Sequence, residues 1–349
     1  MKKLFFVLIV LIISCNSEDE TQVDETIRGA DISYLPLIES EGTIYKNNNQ
    51  PENLITTLKK SGCNYVRIRL WHTPSDVHSN LAEVKILTER VRVAGMKVWI
   101  TVHYSDTWAD PGSQTKPIAW QNLTFNDLKN AVSNYTANVI TEINPDIIQI
   151  GNETNDGFLW PTGKLSINEN QYIQLTNAAT IAVRANSNST KIMIHYAGLE
   201  NSLWYFTKMS SVDYDYIGLS YYPIWHGKNL NDLKNTINQL GTTHGKKVII
   251  AETAYPFSLG YNDFTNNILG QIDQIITDYP PTPIGQKNFL NDLKNTVKLS
   301  DHGIGFCYWG TEWIAFRGPT ATNGSPWENQ ALWDFNNNAL PALDFFKKY

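Results

Sequence analysis

Two glutamates follow directly on apolar segments of this chain. Glu153 ends the segment Asp146-Ile-Ile-Gln-Ile-Gly-Asn-Glu153, and Glu252 ends Lys247-Val-Ile-Ile-Ala-Glu252. A carboxylate at the end of a buried strand is costly unless the fold places it at a working surface, such as the C-terminal rim of a parallel barrel. Glycosidic cleavage needs one carboxylic acid that protonates the leaving oxygen and a second carboxylate across the sugar. The pair therefore indicates a glycosidase.

The two carboxylates need different protonation states. Glu252 must be ionised to attack the anomeric carbon, and we expect Arg69 and the hydroxyl of Tyr222 to favour its charged form. Burial and the charge of Glu252 would keep Glu153 protonated as the acid. A separation of about 5 to 5.5 Å gives retention, whereas about 6.5 to 9.5 Å admits water and gives inversion. We predict the shorter distance, with Asn152 bonded to the sugar 2-hydroxyl.

The elements that must position these residues repeat as strand, polar loop and amphipathic helix from residue 27 onward. The predicted strands are Ile27 to Ser33, Asn64 to Leu70, Lys97 to His103, Asp146 to Gly151, Lys191 to Tyr196, Tyr216 to Tyr221, Lys247 to Glu252 and Gly303 to Trp309. The predicted helices are Asn53 to Ser61, Leu81 to Ala94, Phe125 to Glu142, Glu169 to Ala185, Asn231 to Leu240 and Gln286 to Leu299. Such alternation favours parallel pairing with right-handed crossovers.

Eight such units predict an α/β fold, a closed (β/α)8 TIM barrel that forms a single catalytic domain over residues 27–349. An open doubly wound sheet is the alternative, although no G-x-G-x-x-G motif follows the first strand. Gly62, Gly95 and Gly241 are expected to end helices, and Ser166 with Glu169 has the spacing of a capping box. The segment from Arg317 to Pro326 reads as one long loop after strand eight.

In such a barrel the residues that follow the strands share one rim. They are Asp31, Ser33, Arg69, Trp71, His103, Asp106, Trp108, Asn152, Glu153, Tyr221, Tyr222, Glu252, Trp309 and Glu312. Each has a structural alternative: Arg69 in an ion pair, His103 in a hydrogen bond, Glu312 paired with a loop amide or Arg317. For several tryptophans, packing competes with sugar stacking: Trp71, Trp108, Trp160, Trp225 and Trp313. We place His72, His195 and His226 outside the catalytic core.

The N-terminus has the pattern of a bacterial lipoprotein signal. Met1-Lys-Lys3 is basic, Leu4 to Ile13 is apolar and shorter than a membrane span, and Cys15 follows a small residue. We expect residues 1–14 to be a signal peptide, Cys15 to be lipidated, and residues 15–26 to be an acidic flexible tether. The acidic run resembles an address to the outer face of the outer membrane. An ordinary secretory signal with an incidental cysteine is the alternative.

Composition limits the partners. The chain has 349 residues, 42% of them hydrophobic, with a formal net charge of −6 and no large cluster of basic residues, so nothing indicates nucleic-acid binding. Cys63 and Cys307 lie in apolar segments without a CxxC or His/Cys spacing, and we expect both to be free. We expect no cofactor, no metal and a monomer whose partner is a polysaccharide.

The longer motifs resemble glycoside hydrolase family 53, from residue 27 onward. They are Arg28-Gly-Ala-Asp-Ile-Ser33, Val66-Arg-Ile-Arg-Leu-Trp71, His103-Tyr-Ser-Asp106, Gln149-Ile-Gly-Asn-Glu153, Ser220-Tyr-Tyr-Pro223, Glu252-Thr-Ala-Tyr-Pro256 and the ending Asn329-Gln-Ala-Leu-Trp-Asp334. The resemblance implies retaining endo-β-1,4-galactanase activity on the galactan (type I arabinogalactan) side chains of pectin, with Glu153 as acid/base and Glu252 as nucleophile. It also implies sugar contacts from Arg69, His103, Asn152, Tyr222 and Trp309, to which we add the rim residues Asp31, Trp71 and Asp106.

Some bacterial members of that family carry a calcium loop after strand seven with closely spaced Asp, His and Asn ligands. Here the region reads Phe257-Ser-Leu-Gly-Tyr-Asn-Asp-Phe264, with a single acid, so we expect no structural calcium. Two other functions stay open. One is a β-1,4-glycanase of the same clan with another sugar, such as a mannanase, xylanase or cellulase. The other is a surface lipoprotein that binds glycan without cleaving it.

Overall fold

The molecule is built on a closed barrel of parallel strands, seen in a computed structural model that describes residues 26–348. The barrel order is sequential, and the last strand pairs with the first. The strands are β1 (Ile27–Asp31), β2 (Tyr65–Leu70), β3 (Lys97–Val102), β4 (Ile147–Ile150), β5 (Lys191–Ala197), β6 (Tyr216–Ser220), β7 (Lys247–Thr253) and β8 (Gly303–Tyr308). The predicted (β/α)8 barrel is confirmed, with each strand within a few residues of its predicted bounds.

Helices cover the outside of the barrel. They are α1 (Leu35–Ser40), α2 (Leu54–Ser61), α3 (Leu81–Val93), α4 (Phe125–Ile143), α5 (Leu165–Asn186), α6 (Ser202–Lys208), α7 (Pro223–His226), α8 (Leu230–His244) and α9 (Pro283–Lys298). Side-chain caps begin several of them, as Asn80 accepts from the N–H of Glu83 and Thr124 from that of Asp127. Gly62 ends α2 in the left-handed conformation, as predicted.

Two predicted helix-end signals are wrong. Ser166 and Glu169 form no capping box, because the Ser166 amide and hydroxyl both donate to the carboxylate of Asp156. The long part of α5 nevertheless begins at the predicted Glu169, since Asn168 is non-helical, with φ of −133°, and kinks the helix there. Gly241 does not end α8, which continues to His244 and stops at Gly245 with φ of 64°. Gly241 instead leaves room for a neighbour, since a Cβ there would lie 2.1 Å from Cγ of His302.

Strand alternation sorts side chains between the barrel interior and the helix layer. The lower interior is an apolar plug that contains Trp99, Ile147, Met193 and Ile249. On three of these strands the residues two positions further along are polar: Thr101, Gln149 and His195, joined by Arg67 of β2. The interior thus changes from apolar to polar toward the C-terminal rim, where the site lies.

The eighth strand is followed by a long irregular segment, and the stretch from Arg317 to Pro326 is a loop, as predicted. A 3-10 helix, Pro341–Phe346, then packs on α9 and α2. Phe345 is fully buried and stacks on Phe306 of β8 at 4.4 Å between ring centroids. Among residues 26–348, no helix combines the length and apolarity that a bilayer crossing requires. The predicted signal peptide and Cys15 lie outside the described residues.

Candidate active site

A cleft of about 530 Å³ opens at the C-terminal rim of the barrel. Its walls are largely aromatic, and polar groups in or just after six of the eight strands form its floor. The lining residues are Asp31, Arg67, Arg69, His103, Trp108, Ala109, Asp110, Pro111, Asn152, Glu153, Ala197, Tyr222, Trp225, His226, Glu252, Ile268, Trp309, Trp313 and Trp327. An aromatic cleft with a few converging polar groups suits a sugar, because aromatic faces pack on apolar sugar faces and the polar groups bond hydroxyls.

Glu252 faces the cleft because β7 breaks its alternation. Ile249 and Ala251 point into the apolar plug, so a regular strand would turn Glu252 outward toward the helices. The register shifts at this point against both neighbours, between Leu219 and Ser220 on β6 and between Phe306 and Tyr308 on β8. A bulge of this kind re-aims the next side chain. Glu252 therefore lines the cleft, with 6% of its surface exposed.

Arg67, rather than Arg69, provides the positive charge beside Glu252, so the expected role of Arg69 at this carboxylate is wrong. Arg67 Nη2 donates to Glu252 Oε1 at 2.7 Å, and Arg67 Nη1 donates to Asp31 Oδ2 at 2.7 Å. The Tyr222 hydroxyl donates to Glu252 Oε2 at 2.9 Å, as predicted. Burial raises the pKa of Glu252, while the Arg67 charge and the Tyr222 hydrogen bond oppose that rise. These two contacts favour the ionised form that a nucleophile needs.

Glu153 stands opposite in a left-handed backbone conformation, with φ of 46°. Burial, followed by the charge of Glu252, raises the pKa of Glu153 to about 8, so it is protonated at neutral pH. A carboxylate oxygen of Glu153, one of Glu252 and a ring nitrogen of His195 all lie within 4.8 Å of one another. This short separation fits the range of about 5 to 5.5 Å of retaining pairs and not the range of about 6.5 to 9.5 Å of inverting pairs.

His195 lies beneath Glu153, although the sequence analysis placed it outside the core. Its Nδ1 is 3.3 Å from the Glu153 backbone nitrogen and 2.9 Å from Gln149 Nε2, and its Nε2 is 3.0 Å from Ser220 Oγ. Ser220 in turn donates to Glu153 Oε1 at 2.5 Å. Strand alternation could have indicated this position: His195 follows Met193 by two residues, so both side chains face the same side of the strand.

The other predicted contacts at the cleft are spread over β3, β4 and β8. His103 lines it and accepts the Ala109 N–H at Nδ1, so its Nε2 carries the proton. Burial lowers the pKa of His103 well below its usual value, with Arg69 and Arg67 adding to the shift. Asn152 lines the cleft and accepts from Arg67 at 2.9 Å. Trp309 forms part of the wall, edge-on to Trp327 at 4.7 Å.

Arg69 lines the cleft inside an aromatic cage. Its guanidinium carbon lies 4.5 Å from the ring centroid of Tyr34, 4.3 Å from Trp71 and 4.2 Å from Trp108, and its Nη2 donates to Ser79 Oγ at 2.8 Å. Cation–π contacts of this kind hold rings in place. Arg69 thus braces Trp108, which lines the cleft.

Three further predicted residues have structural contacts. Asp31 lines the cleft and accepts from Arg67. Trp71 and Asp106 belong to the described part of the chain but not to the cleft lining. Trp71 packs on Arg69, and Asp106 accepts from the backbone N–H groups of Thr73 and Ile118.

Glu312 binds a loop amide rather than Arg317, since it accepts from Tyr34 N at 2.6 Å. Within residues 26–348, one group has metal-ligand spacing: Glu153, His195 and Glu252. Both nitrogens of His195 and both oxygens of Glu252 already have protein partners, so the trio is not a free ligand set. The expected absence of a structural calcium stays a prediction.

A parallel barrel that holds an acid and an ionised carboxylate this close together defines a glycoside hydrolase. The family model for glycosyl hydrolase family 53 matches residues 27–346, and the chain belongs to that family. It is 37% identical over 339 residues to an arabinogalactan endo-β-1,4-galactanase of Cellvibrio japonicus, covering 91% of this chain and 90% of that one. It is 32% identical to an endo-β-1,4-galactanase of Bacillus subtilis, over 92% of this chain and 85% of that one.

Two solved structures agree in fold. The family 53 catalytic domain of Ignisphaera aggregans superposes with a TM-score of 0.88 at 36% identity, covering 94% of this chain and 97% of that one. A fungal β-1,4-galactanase structure superposes with a TM-score of 0.82 at 31% identity, covering 92% of this chain and 98% of that one. These likenesses extend over the whole described barrel.

Proposed function

We propose that the chain is a retaining endo-β-1,4-galactanase that cleaves galactan by double displacement. The observation that carries this proposal is the Glu153–Glu252 pair, with carboxylate oxygens within 4.8 Å of one another in a barrel of family 53. The galactanase names of the relatives support galactan as the substrate. Distinguishing galactose from other β-1,4-linked sugars depends on the orientation of one hydroxyl, so the substrate rests on family membership.

In the first half-reaction Glu252 attacks the anomeric carbon and Glu153 protonates the leaving oxygen. Arg67 and Tyr222 hold the two oxygens of Glu252, which orients the nucleophile. The C–O bond to the leaving sugar breaks, a glycosyl–Glu252 ester forms, and the proton of Glu153 leaves with the departing hydroxyl. Asn152 lines the cleft, and in this proposal it bonds the 2-hydroxyl as positive charge develops on the ring.

In the second half-reaction the same residue acts as a base. Once Glu252 is an ester it carries no charge, so one cause of the raised pKa of Glu153 is gone and that pKa falls. Glu153 then takes a proton from water while the water oxygen attacks the anomeric carbon. The ester breaks, Glu252 is released as a carboxylate, and the configuration is retained after two inversions.

Azide rescue tests the assignment. Glu252→Ala and Glu153→Ala should each release reducing ends from galactan at least about 10³-fold more slowly than wild type, because each removes a group that acts on the reacting atoms. Added azide should restore turnover in both variants. The product should be an α-galactosyl azide with Glu252→Ala and a β-galactosyl azide with Glu153→Ala. Glu200→Gln alters an exposed carboxylate and serves as the control. Full turnover by Glu252→Ala would show that the nucleophile is another residue.

A panel of β-1,4-linked polysaccharides separates the proposal from its alternatives. Galactan should be hydrolysed, with products of mixed length appearing early, as endo cleavage requires. Faster release of reducing ends from mannan, xylan or cellulose would show that the chain is another β-1,4-glycanase of the same clan. Binding without cleavage would show a glycan-binding protein, although two adjacent carboxylates that repel each other are costly in a protein that only binds.

We further propose that the enzyme is a monomer and that Cys15 carries lipid, which would tether it at the outer face of the outer membrane. The basic start, the short apolar stretch, the Cys and the acidic segment after it support the anchor. A single acyl chain binds membranes only weakly, so stable anchoring requires more than one chain on the modified cysteine. In that location the enzyme would shorten galactan outside the cell.

A further inference from the structure

Two buried polar residues outside the cleft lining contact the acid/base. Ser220 ends β6 and His195 lies in β5, and both are fully buried. Ala197 pairs with Ser220 in the ladder between the two strands, so His195 and Ser220 lie one step apart on the same inward face. Their side chains form a chain of contacts, from His195 Nε2 to Ser220 Oγ at 3.0 Å and from there to Glu153 Oε1 at 2.5 Å.

The neighbours of His195 fix its tautomer. The Glu153 backbone N–H, whose proton position is unambiguous, points at Nδ1. Gln149 Nε2, a donor because Gln149 Oε1 accepts from Arg67, lies 2.9 Å from Nδ1 but also donates to Gly151 O and Asn152 Oδ1. Asn152 Oδ1 lies 3.2 Å from Nδ1 and already accepts from Arg67 and Gln149. The backbone N–H of Glu153 therefore decides the role of Nδ1, because its direction is set by the peptide plane. Nδ1 therefore accepts, and the proton of the neutral ring is on Nε2. Burial, with the charges of Arg67 and His226, lowers the pKa of His195 well below its usual value and keeps the ring neutral.

The direction of the next hydrogen bond follows. His195 Nε2–H donates to Ser220 Oγ, so the single hydroxyl proton of Ser220 is directed at Glu153 Oε1. An oxygen that accepts a hydroxyl proton in this way is not the one that carries the acidic proton. We propose that Ser220, held by His195, is a positioning residue: its hydroxyl keeps the catalytic proton of Glu153 on Oε2 and stabilises the Glu153 carboxylate in the second half-reaction.

The inference rests on the proposed role of Glu153 as acid/base. The charged and titratable groups around Glu153 are Glu252 of β7, Arg67 of β2, Asp110 after β3, Tyr222 and His226 after β6, and His195 of β5. Beside these groups, the Ser220 hydroxyl is a neutral donor that bonds directly to the Glu153 carboxyl group. It lowers the proton affinity of Glu153, which burial and the charge of Glu252 raise.

The alkaline limb of the pH profile of kcat/KM on galactan tests this role. The limb falls where Glu153 loses its proton, so in Ser220→Ala it should move upward by about one pH unit, a tenfold gain in proton affinity. The acid limb, which reports Glu252, and KM should stay unchanged, because Ser220 does not line the cleft. Ser220→Thr keeps the hydroxyl and should restore the limb. Ser105→Ala removes another buried hydroxyl, one that faces the Thr107 amide, and should leave both limbs in place.

A measurement on the unmutated enzyme covers the case in which Ser220→Ala does not fold. Nitrogen NMR of the histidine-labelled protein should show His195 as the neutral Nε2–H tautomer throughout the active pH range. An Nδ1–H tautomer or an imidazolium would overturn the inference, as would an alkaline limb that stays in place in folded Ser220→Ala. If Glu153→Ala kept full turnover, the proposed function itself would fail. An inactive Glu153→Ala with an unmoved Ser220→Ala limb would remove only the role of Ser220.

Discussion

At the scale of single residues, two arginines two positions apart do different work. Both Arg67 and Arg69 lie on the face of β2 that points into the barrel, and Arg69 is nearer to the rim. Arg67 contacts the carboxylates, since its guanidinium joins Asp31, Asn152 and Glu252 within the cleft lining. The guanidinium of Arg69 instead packs against three aromatic rings. Arg67 lies further from the rim than Arg69, where less water reaches the ion pairs that it forms.

Replacing each arginine by methionine should separate these roles. Arg67→Met leaves Asp31 and Glu252 buried without their positive partner, so we expect a loss of about 3–5 kcal/mol in the free energy of unfolding and an acid limb of kcat/KM at higher pH. Arg69→Met should keep the acid limb in place and raise KM, because Trp108 loses its support. Urea unfolding and pH–rate profiles measure both effects. Equal acid-limb shifts in the two variants would contradict this division of roles.

The raised pKa of Glu153 also has a consequence for stability. With a pKa of about 8 in the folded enzyme and about 4.3 when exposed, Glu153 binds a proton in the folded state that the unfolded state has released. Stability conferred by that proton is complete below about pH 4.3 and is lost as the pH rises through 8. Glu153→Gln should therefore unfold with a free energy higher than wild type by up to about 5 kcal/mol at pH 8, and the difference should shrink to about 1 kcal/mol toward pH 5. A difference in unfolding free energy that grows toward acidic pH would contradict this prediction.

Much of the site could be predicted from residue types at strand ends. Glu153, Glu252, Asn152, His103, Tyr222 and Trp309 all reach the cleft because a strand end places its neighbours there. Three functional residues were not predicted: Arg67, which lines the cleft, and His195 and Ser220, which lie outside its lining, deeper in the barrel. Strand alternation identifies such inward positions, but which of them touch depends on the stagger between neighbouring strands, which strand bounds alone do not fix.

At the scale of elements, glycine positions were the least predictable. Gly241 and Gly245 both suit a helix end by sequence, but the glycine at 241 makes room for a residue 61 positions away, His302. The bulge in β7 is similar, since Lys247-Val-Ile-Ile-Ala-Glu252 reads as a regular strand and its break appears only against β6 and β8. Local patterns give the order of elements, whereas tertiary contacts fix where they end.

Helix α8 allows a direct test of this point. Helix propensity alone predicts that Gly241→Ala stabilises by about 1 kcal/mol. The added Cβ would lie 2.1 Å from His302 Cγ and 2.2 Å from its Cβ, so we expect a net loss of about 1–3 kcal/mol. Gly245→Asn is the matched control, because a side chain there meets nothing within 4 Å and asparagine tolerates its φ of 64°. Stabilisation by Gly241→Ala in urea unfolding would mean that His302 moves freely.

At the scale of the whole molecule, the aromatic wall of the cleft should govern binding of the polymer. Trp225 lines the cleft with 53% of its surface exposed, whereas Trp204 of α6 is 52% exposed but outside the lining. Trp225→Ala should raise KM for long galactan by about 3- to 10-fold, as expected for one lost aromatic contact. Trp204→Ala should not change KM. Equal effects of the two variants would place the polymer outside this cleft.

The proposed anchor is the other whole-molecule feature, and Cys15 precedes all the barrel strands in the sequence. In a Gram-negative host the wild-type chain should appear in the outer-membrane fraction and take up labelled fatty acid. Cys15→Ala removes the thiol that would be acylated, so the chain should lose the label and leave the membrane fraction. Its kcat/KM on soluble galactan should match that of wild type, because every cleft residue lies beyond residue 30.

Cys63→Ala is the control: that cysteine is buried beside β2, and its loss should leave both label and membrane fraction unchanged. Unlabelled wild type in the soluble fraction would favour an ordinary secretory signal.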